Sequence, residues 1–184
     1  AKTLLAEYQA STTIPIDIEI EVPISELQNG AVYQFDLLQN IPQFSPYVDV
    51  RVESVVAKID GIKSTESNQY FLELGYNGRP FYDRGAYREQ LVFNTLSRHH
   101  TYQYKVDKNQ PLFSKDDGKA WSNEVTPITP FSEWQISLPK NHTNKGIIFE
   151  DILAKVTLTF VLKTRIHDIQ NKMVLEEIND MVTK

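Results

Sequence analysis

The chain has 184 residues, 41% of them hydrophobic and 23% charged, which is the balance of a folded domain with one sizeable core. A formal net charge of −5, with Lys and Arg scattered along the sequence, excludes the clustered basic face that duplex nucleic acid requires. There is no Cys, which excludes disulfides, thiolate metal sites and a cysteine nucleophile, and no run approaches the roughly 20 apolar residues of a membrane helix.

Leu4, Leu5 and Tyr8 fall at helical spacing, so residues 1–12 are expected to hold the end of a preceding helix. The chain opens at Ala1 without a signal-peptide pattern, which suggests a processed chain or an excised piece of something longer. Ile14, Ile16, Ile18, Ile20 and Val22 then alternate with Pro15, Asp17, Glu19 and Glu21. A period of two predicts a half-buried strand, and Pro15, which has no N–H, places its start at a sheet edge.

Asn29-Gly30 marks a turn, and Tyr33, Phe35 and Leu37 alternate after it. Between Val48 and Ile59 the apolar parity changes, from Val48, Val50 and Val52 to Val55, Ala57 and Ile59. Either a β-bulge near Glu53–Ser54 or a break between two strands restores a single buried face. Asp60-Gly61 and Asn77-Gly78 bracket a further run of Tyr70, Leu72, Leu74 and Tyr76. Shorter strands are expected at 90–94 and 101–106, and the polar stretch from Asp107 to Pro130 reads as a loop. Trp134, Ile136 and Leu138 make a penultimate strand, and Val156, Leu158, Phe160 and Leu162 the most regular one. The expected fold is therefore mainly β, an antiparallel β-sandwich of jelly-roll or immunoglobulin-like kind over residues 13–165. A helical tail is expected over 166–184, capped by Asp168, either packed back on the sandwich or reaching a neighbouring domain.

Candidate chemistry is thin. His99-His100 is the most tempting metal pair, but adjacent residues of a strand face opposite sides and cannot share one ion. Asp116-Asp117-Gly118 with Asp107 has the oxygen ligands calcium favours, yet lacks the spacing of a calcium loop and reads first as a turn. No nucleophile elbow or glycine-rich phosphate loop is present, and Glu19 and Glu21 read as a solvated face. The chain is expected to be non-enzymatic, without metal or cofactor. Asn141-His142-Thr143 is a formal glycosylation sequon that matters only in a eukaryotic secreted protein. Tyr76, Phe81, Tyr82, Tyr87 and Trp121 fall at strand ends or in loops. Such rings either stack on a ligand such as a sugar or plug the ends of the sandwich, and plugging is favoured because large aromatics dominate core energetics.

Several stretches resemble the C-terminal β-sandwich region of the A-subunits of Tc (toxin complex) insecticidal toxins. They are Ile18–Leu27 (IEIEVPISEL), Tyr33–Leu37, Val50–Ile59 (VRVESVVAKI), Phe131–Lys140 (FSEWQISLPK) and Ile148–Arg165 (IFEDILAKVTLTFVLKTR). Glu73–Tyr104 looks closer to related bacterial toxin-like sandwiches, and Ile59-Asp60-Gly61 and Ile166-His167 depart from the family pattern. The resemblance implies a non-catalytic docking domain of a secreted bacterial toxin, binding the toxin's B-subunit within a larger oligomeric assembly. A carbohydrate- or host-receptor-binding module on the same sandwich is the alternative it leaves open.

Overall fold

The computed structural model describes residues 12–38, 41–78, 81–84, 90–93, 97–107, 110–111, 121 and 128–166. Both expected terminal helices, at 1–12 and 166–184, fall outside these residues save for Thr12 and Ile166, which are strand. In chain order the elements are β1 (Thr12–Pro23), α1 (Ile24–Gln28), β2 (Tyr33–Asp36), β3 (Tyr47–Asp60) and β4 (Ile62–Ser64). They continue with β5 (Gln69–Tyr76), β6 (Phe81–Arg84), β7 (Gln90–Phe93) and β8 (Arg98–Lys105). The last are β9 (Gln110–Pro111), β10 (Glu133–Ser137), β11 (Ile147–Phe149) and β12 (Leu153–Ile166).

Every strand pairing is antiparallel. Three long strands form one sheet in the order β1-β12-β3, and five shorter ones form another in the order β2-β10-β5-β8-β9. Among the described residues there are also two small two-stranded sheets, β11-β4 and β6-β7. The mainly β, antiparallel expectation holds, and the turns at Gly30, Gly61 and Gly78 adopt the positive φ that favours glycine.

The alternation seen in sequence is the packing. Ile16, Ile18 and Val22 of β1, Val156, Leu158, Phe160 and Leu162 of β12, and Val52, Val55, Ala57 and Ile59 of β3 are all buried. Leu72 and Leu74 of β5, Tyr102 and Tyr104 of β8, and Trp134 and Ile136 of β10 join the same hydrophobic cluster. An edge-to-face contact of Trp134 with Phe160, centroids 5.6 Å apart, binds the two sheets, and Phe44 from the turn before β3 meets Phe160 at 6.2 Å.

The parity change in β3 is a bulge. Val161 pairs with Ser54 and Leu162 with Val52, so Glu53 is the extra residue and both halves of the strand keep one buried face. A second register shift follows between Lys163 and Arg165, opposite Asp49, whose φ is +52°. The Asp49 carboxylate there accepts from Arg51 at 2.8 Å and from Arg165, and the Thr164 hydroxyl donates to the Val48 carbonyl at 3.0 Å.

The free side of β3 is closed by tyrosines of the facing sheet. Tyr102 donates its hydroxyl to the Val55 carbonyl, Tyr104 to that of Ala57 at 2.5 Å, and Tyr70 to that of Ile59 at 3.4 Å. Ile59 N–H also donates to Tyr70 Oη at 3.2 Å, so residues of this parity point their backbone groups away from β12. The rings of Tyr70 and Tyr104 stack with centroids 5.0 Å apart. An edge that would expose unpaired carbonyls is thus satisfied by side chains.

Candidate interaction surface

The aromatics singled out in the sequence do not form one surface among the described residues. Tyr76 is fully buried and meets Trp134 edge-on at 5.0 Å. Trp121 is 2% exposed, and its Nε1 donates to Tyr102 Oη at 2.9 Å. Of the two roles offered for such rings, these two are core plugs and not exposed ligand contacts, because a large ring gains more from burial than from standing at the rim. Phe81 and Tyr82 lie on β6, opposite Phe93 and Val92 of β7, and Tyr87 falls outside the described residues.

The two adjacent histidines diverge as strand geometry requires. His99 is exposed, whereas His100 packs its ring against Tyr102 at 4.8 Å. Among the described residues no group of His, Asp or Glu is placed to hold a metal ion, and Asp116 and Asp117 lie outside them. Glu19 and Glu21 are exposed on β1, with Glu19 3.5 Å from the Lys155 ammonium.

Of the five large apolar residues left uncovered among the described residues, Val32 and Leu38 stand elsewhere and three gather in one place. Ile148, Ile152 and Leu153 are 50%, 87% and 46% exposed, three large side chains within six residues of chain. They sit where β11 passes into β12 beside the end of β1: Leu153 pairs with Pro23, and the Ile152 carbonyl accepts from Ile24 N–H at 3.1 Å. Ile152 has the parity of the buried residues of β12 but precedes the strand, so no facing sheet covers it. That mismatch, an apolar residue one step outside the alternating run, is the sequence signal that would have found it.

Charges rim this corner. Lys63 donates to the Glu150 carboxylate at 2.8 Å, and that hydrogen bond raises the lysine above its ordinary pKa. A concavity of about 270 Å³ opens beside it, between Ile24, Asp60, Phe149, Leu153 and Lys155. A second, larger groove of about 570 Å³ runs beneath the 138–146 segment, with Leu27, Leu138 and Phe149 as its apolar lining and Lys140, Asn141 and His142 as polar groups. The corner therefore combines an apolar centre with a charged rim, the composition of a protein contact surface.

No protein-family model and no curated protein matches the chain. Among solved structures it is similar to one of desmodium yellow mottle tymovirus, at 8% identity and a TM-score of 0.33, over 86% of this chain and 90% of that one. It is similar to one of turnip yellow mosaic virus at 15% identity and a TM-score of 0.30, over 85% and 82% of the two chains. The VP1 pentamer of Washington University polyomavirus gives 9% identity and a TM-score of 0.24, over 86% and 95%. Scores this low carry no argument about family or function.

Proposed function

We propose that the chain is a non-catalytic protein-docking domain of a secreted bacterial toxin complex, and that it binds a B-subunit-type partner through the Ile148–Leu153 corner. The exposure of Ile152 carries this reading. Covering a side chain of that size is worth roughly 1.5–3 kcal/mol, and here it stands 87% uncovered between two other exposed apolar residues and a charged rim. The resemblance of Ile18–Leu27 and Ile148–Arg165 to toxin A-subunits supports the same corner, since the second stretch contains it and the first runs beside it at Pro23.

The test is biolayer interferometry of the folded chain against the B-subunit of a Tc-type toxin, with Ile152→Asp and Leu153→Asp as variants. Saturable binding in roughly the micromolar range or tighter, weakened about ten-fold or more by either variant, is the expected result. Absence of binding by a chain shown folded by circular dichroism would sink this partner. It would turn attention to a glycan or receptor ligand, with the groove under Lys140–Gly146 as the place to look.

A further inference from the structure

The two outer edges of the β1-β12-β3 sheet are treated differently. On β3 the tyrosine hydroxyls take the outward carbonyls of Val55, Ala57 and Ile59, and Val52 N–H donates to the Ile128 carbonyl at 2.8 Å. On β1, among the described residues, no hydrogen bond is made on the side away from β12. The parity of the open groups follows from the ladder. Since Val55, Ala57 and Ile59 face away from β12, the residues opposite Ser54, Val56 and Lys58, namely Val161, Thr159 and Thr157, bond towards β3. The alternate residues Val156, Leu158 and Phe160 therefore bond towards β1 at Ile20, Ile18 and Ile16. Pro15, Asp17, Glu19 and Glu21 are left with their backbones directed outward. Pro15 agrees with this independently, because a proline is tolerated in a strand where its missing N–H faces no neighbour.

We infer that β1 is a strand-addition edge whose occupant is a β-strand of a partner protein carrying Lys or Arg at alternate positions. The inference rests on the docking reading above and names the edge and the partner chemistry. The residues with outward backbone groups are also those with exposed acidic side chains, Asp17, Glu19 and Glu21. An incoming strand with basic residues on the same face gains ladder bonds and cross-strand ion pairs together. The same acidic row disfavours a second copy of this chain. An antiparallel β1–β1 pair centred on Glu19 sets Glu19 against Glu19 and Asp17 against Glu21, and like charges directly opposite destabilise. The edge ends at Pro23, paired with Leu153, so a strand laid along it runs into the exposed apolar corner.

The probe is the capped heptapeptide Lys-Val-Lys-Val-Lys-Val-Lys, whose lysines, laid antiparallel opposite Asp17, Glu19 and Glu21, direct their N–H groups at β1. One control of equal charge carries backbone N-methyl groups on the two inner lysines, and an acidic control has Glu for Lys. Hydrogen exchange of the whole chain is expected to show saturable protection at the Asp17, Glu19 and Glu21 amides, with the N-methylated control about ten-fold weaker and the acidic one inert. Glu19→Pro removes only an outward N–H, as Pro15 already does, so it should stay folded by circular dichroism and lose the peptide. Equal binding by the N-methylated control, or protection elsewhere, would overturn strand addition in favour of diffuse charge attraction. Concentration-dependent protection of the same amides without peptide would overturn it in favour of self-pairing. Binding of a B-subunit with no effect of the basic peptide on β1 defeats the edge alone. Peptide capture without B-subunit binding defeats the toxin partner and leaves the edge.

Discussion

The side-chain amide of Asn144 closes hydrogen bonds with both backbone groups of Phe71, accepting from its N–H at 2.6 Å and donating to its carbonyl at 2.8 Å. The reason lies in the sheet. β10 ends at Ser137, opposite Glu73, so two residues further along β5 the Phe71 peptide, paired with Gln103 of β8 on one side, has no strand on the other. Asn144 supplies one acceptor and one donor in the geometry of a missing strand residue, and its amide also donates to the Pro139 carbonyl at 2.8 Å. A short side chain thereby fastens the 139–146 segment, and with it the roof of the larger groove, to the sheet.

Asn144→Ala is expected to lower stability by about 2 kcal/mol, because two part-buried groups of Phe71 lose their partners at once. Asn144→Asp keeps the acceptor for Phe71 N–H but turns an oxygen towards two carbonyls, so it should not restore the loss. Urea unfolding of the three proteins checks the order. An alanine variant as stable as the wild type would mean that water serves Phe71 equally well.

The tyrosine row on β3 makes a second prediction. Tyr104→Phe keeps the ring that stacks on Tyr70 but leaves the Ala57 carbonyl buried without its donor. A loss of about 1–2 kcal/mol should follow, read as a drop in the denaturant midpoint with an unchanged slope. Tyr104→Leu, which also sacrifices the ring contacts, should cost more. If Tyr104→Phe costs nothing while Tyr104→Leu still destabilises, the hydroxyl contributes nothing and the edge is held by packing alone.

Tyr70 gives the row a pH signature. Burial pushes its hydroxyl up from the ordinary value of 10.0, with the charge of Asp60 adding to the rise and the Ile59 backbone bond opposing it. A folded-state pKa above the unfolded one means the folded chain holds the proton more tightly. The corresponding stability is complete below pH 10 and is lost as pH climbs from there towards the folded value. Urea midpoints measured from about pH 8 to about pH 11 should fall at the alkaline end, and Tyr70→Phe should make that fall shallower. An identical alkaline slope in both proteins would show that Tyr70 does not carry the effect.

Much of this was legible from residue order. Alternation in Ile14–Val22, Tyr70–Tyr76 and Val156–Leu162 located β1, β5 and β12, because a strand buried on one face writes its period into the chain. The short elements α1, β4, β9 and β11 were not legible, since two to five residues are too few to show a period. Asn144 was equally hidden: its role depends on where β10 stops relative to β5, a relation between positions more than seventy residues apart. The acceptors of the tyrosine row are not legible either, because burial leaves a pattern in sequence and a hydroxyl's acceptor does not. Ile152 was passed over for the converse reason, being apolar in a region where the alternation suggested core.

The bulge in β3 makes a prediction that separates register from composition. Val52 and Val55 both point inward although three positions separate them, and Glu53 absorbs the odd residue. Deleting Glu53 leaves Val50, Val52, Val55, Ala57 and Ile59 on one face with a regular ladder, so the variant should fold and lose only about 1–2 kcal/mol with the local twist. Deleting Val56, three residues on, removes a less polar side chain but inverts everything after it. Ala57 and Ile59 would turn to solvent, and Lys58 would enter the core against Tyr104 and Tyr70, so this variant should not fold cooperatively. Paired thermal unfolding and one-dimensional proton spectra of the two deletions make the comparison. If both fold alike, the sheet can slip its register, and the burial pattern of β3 does not hold it in place.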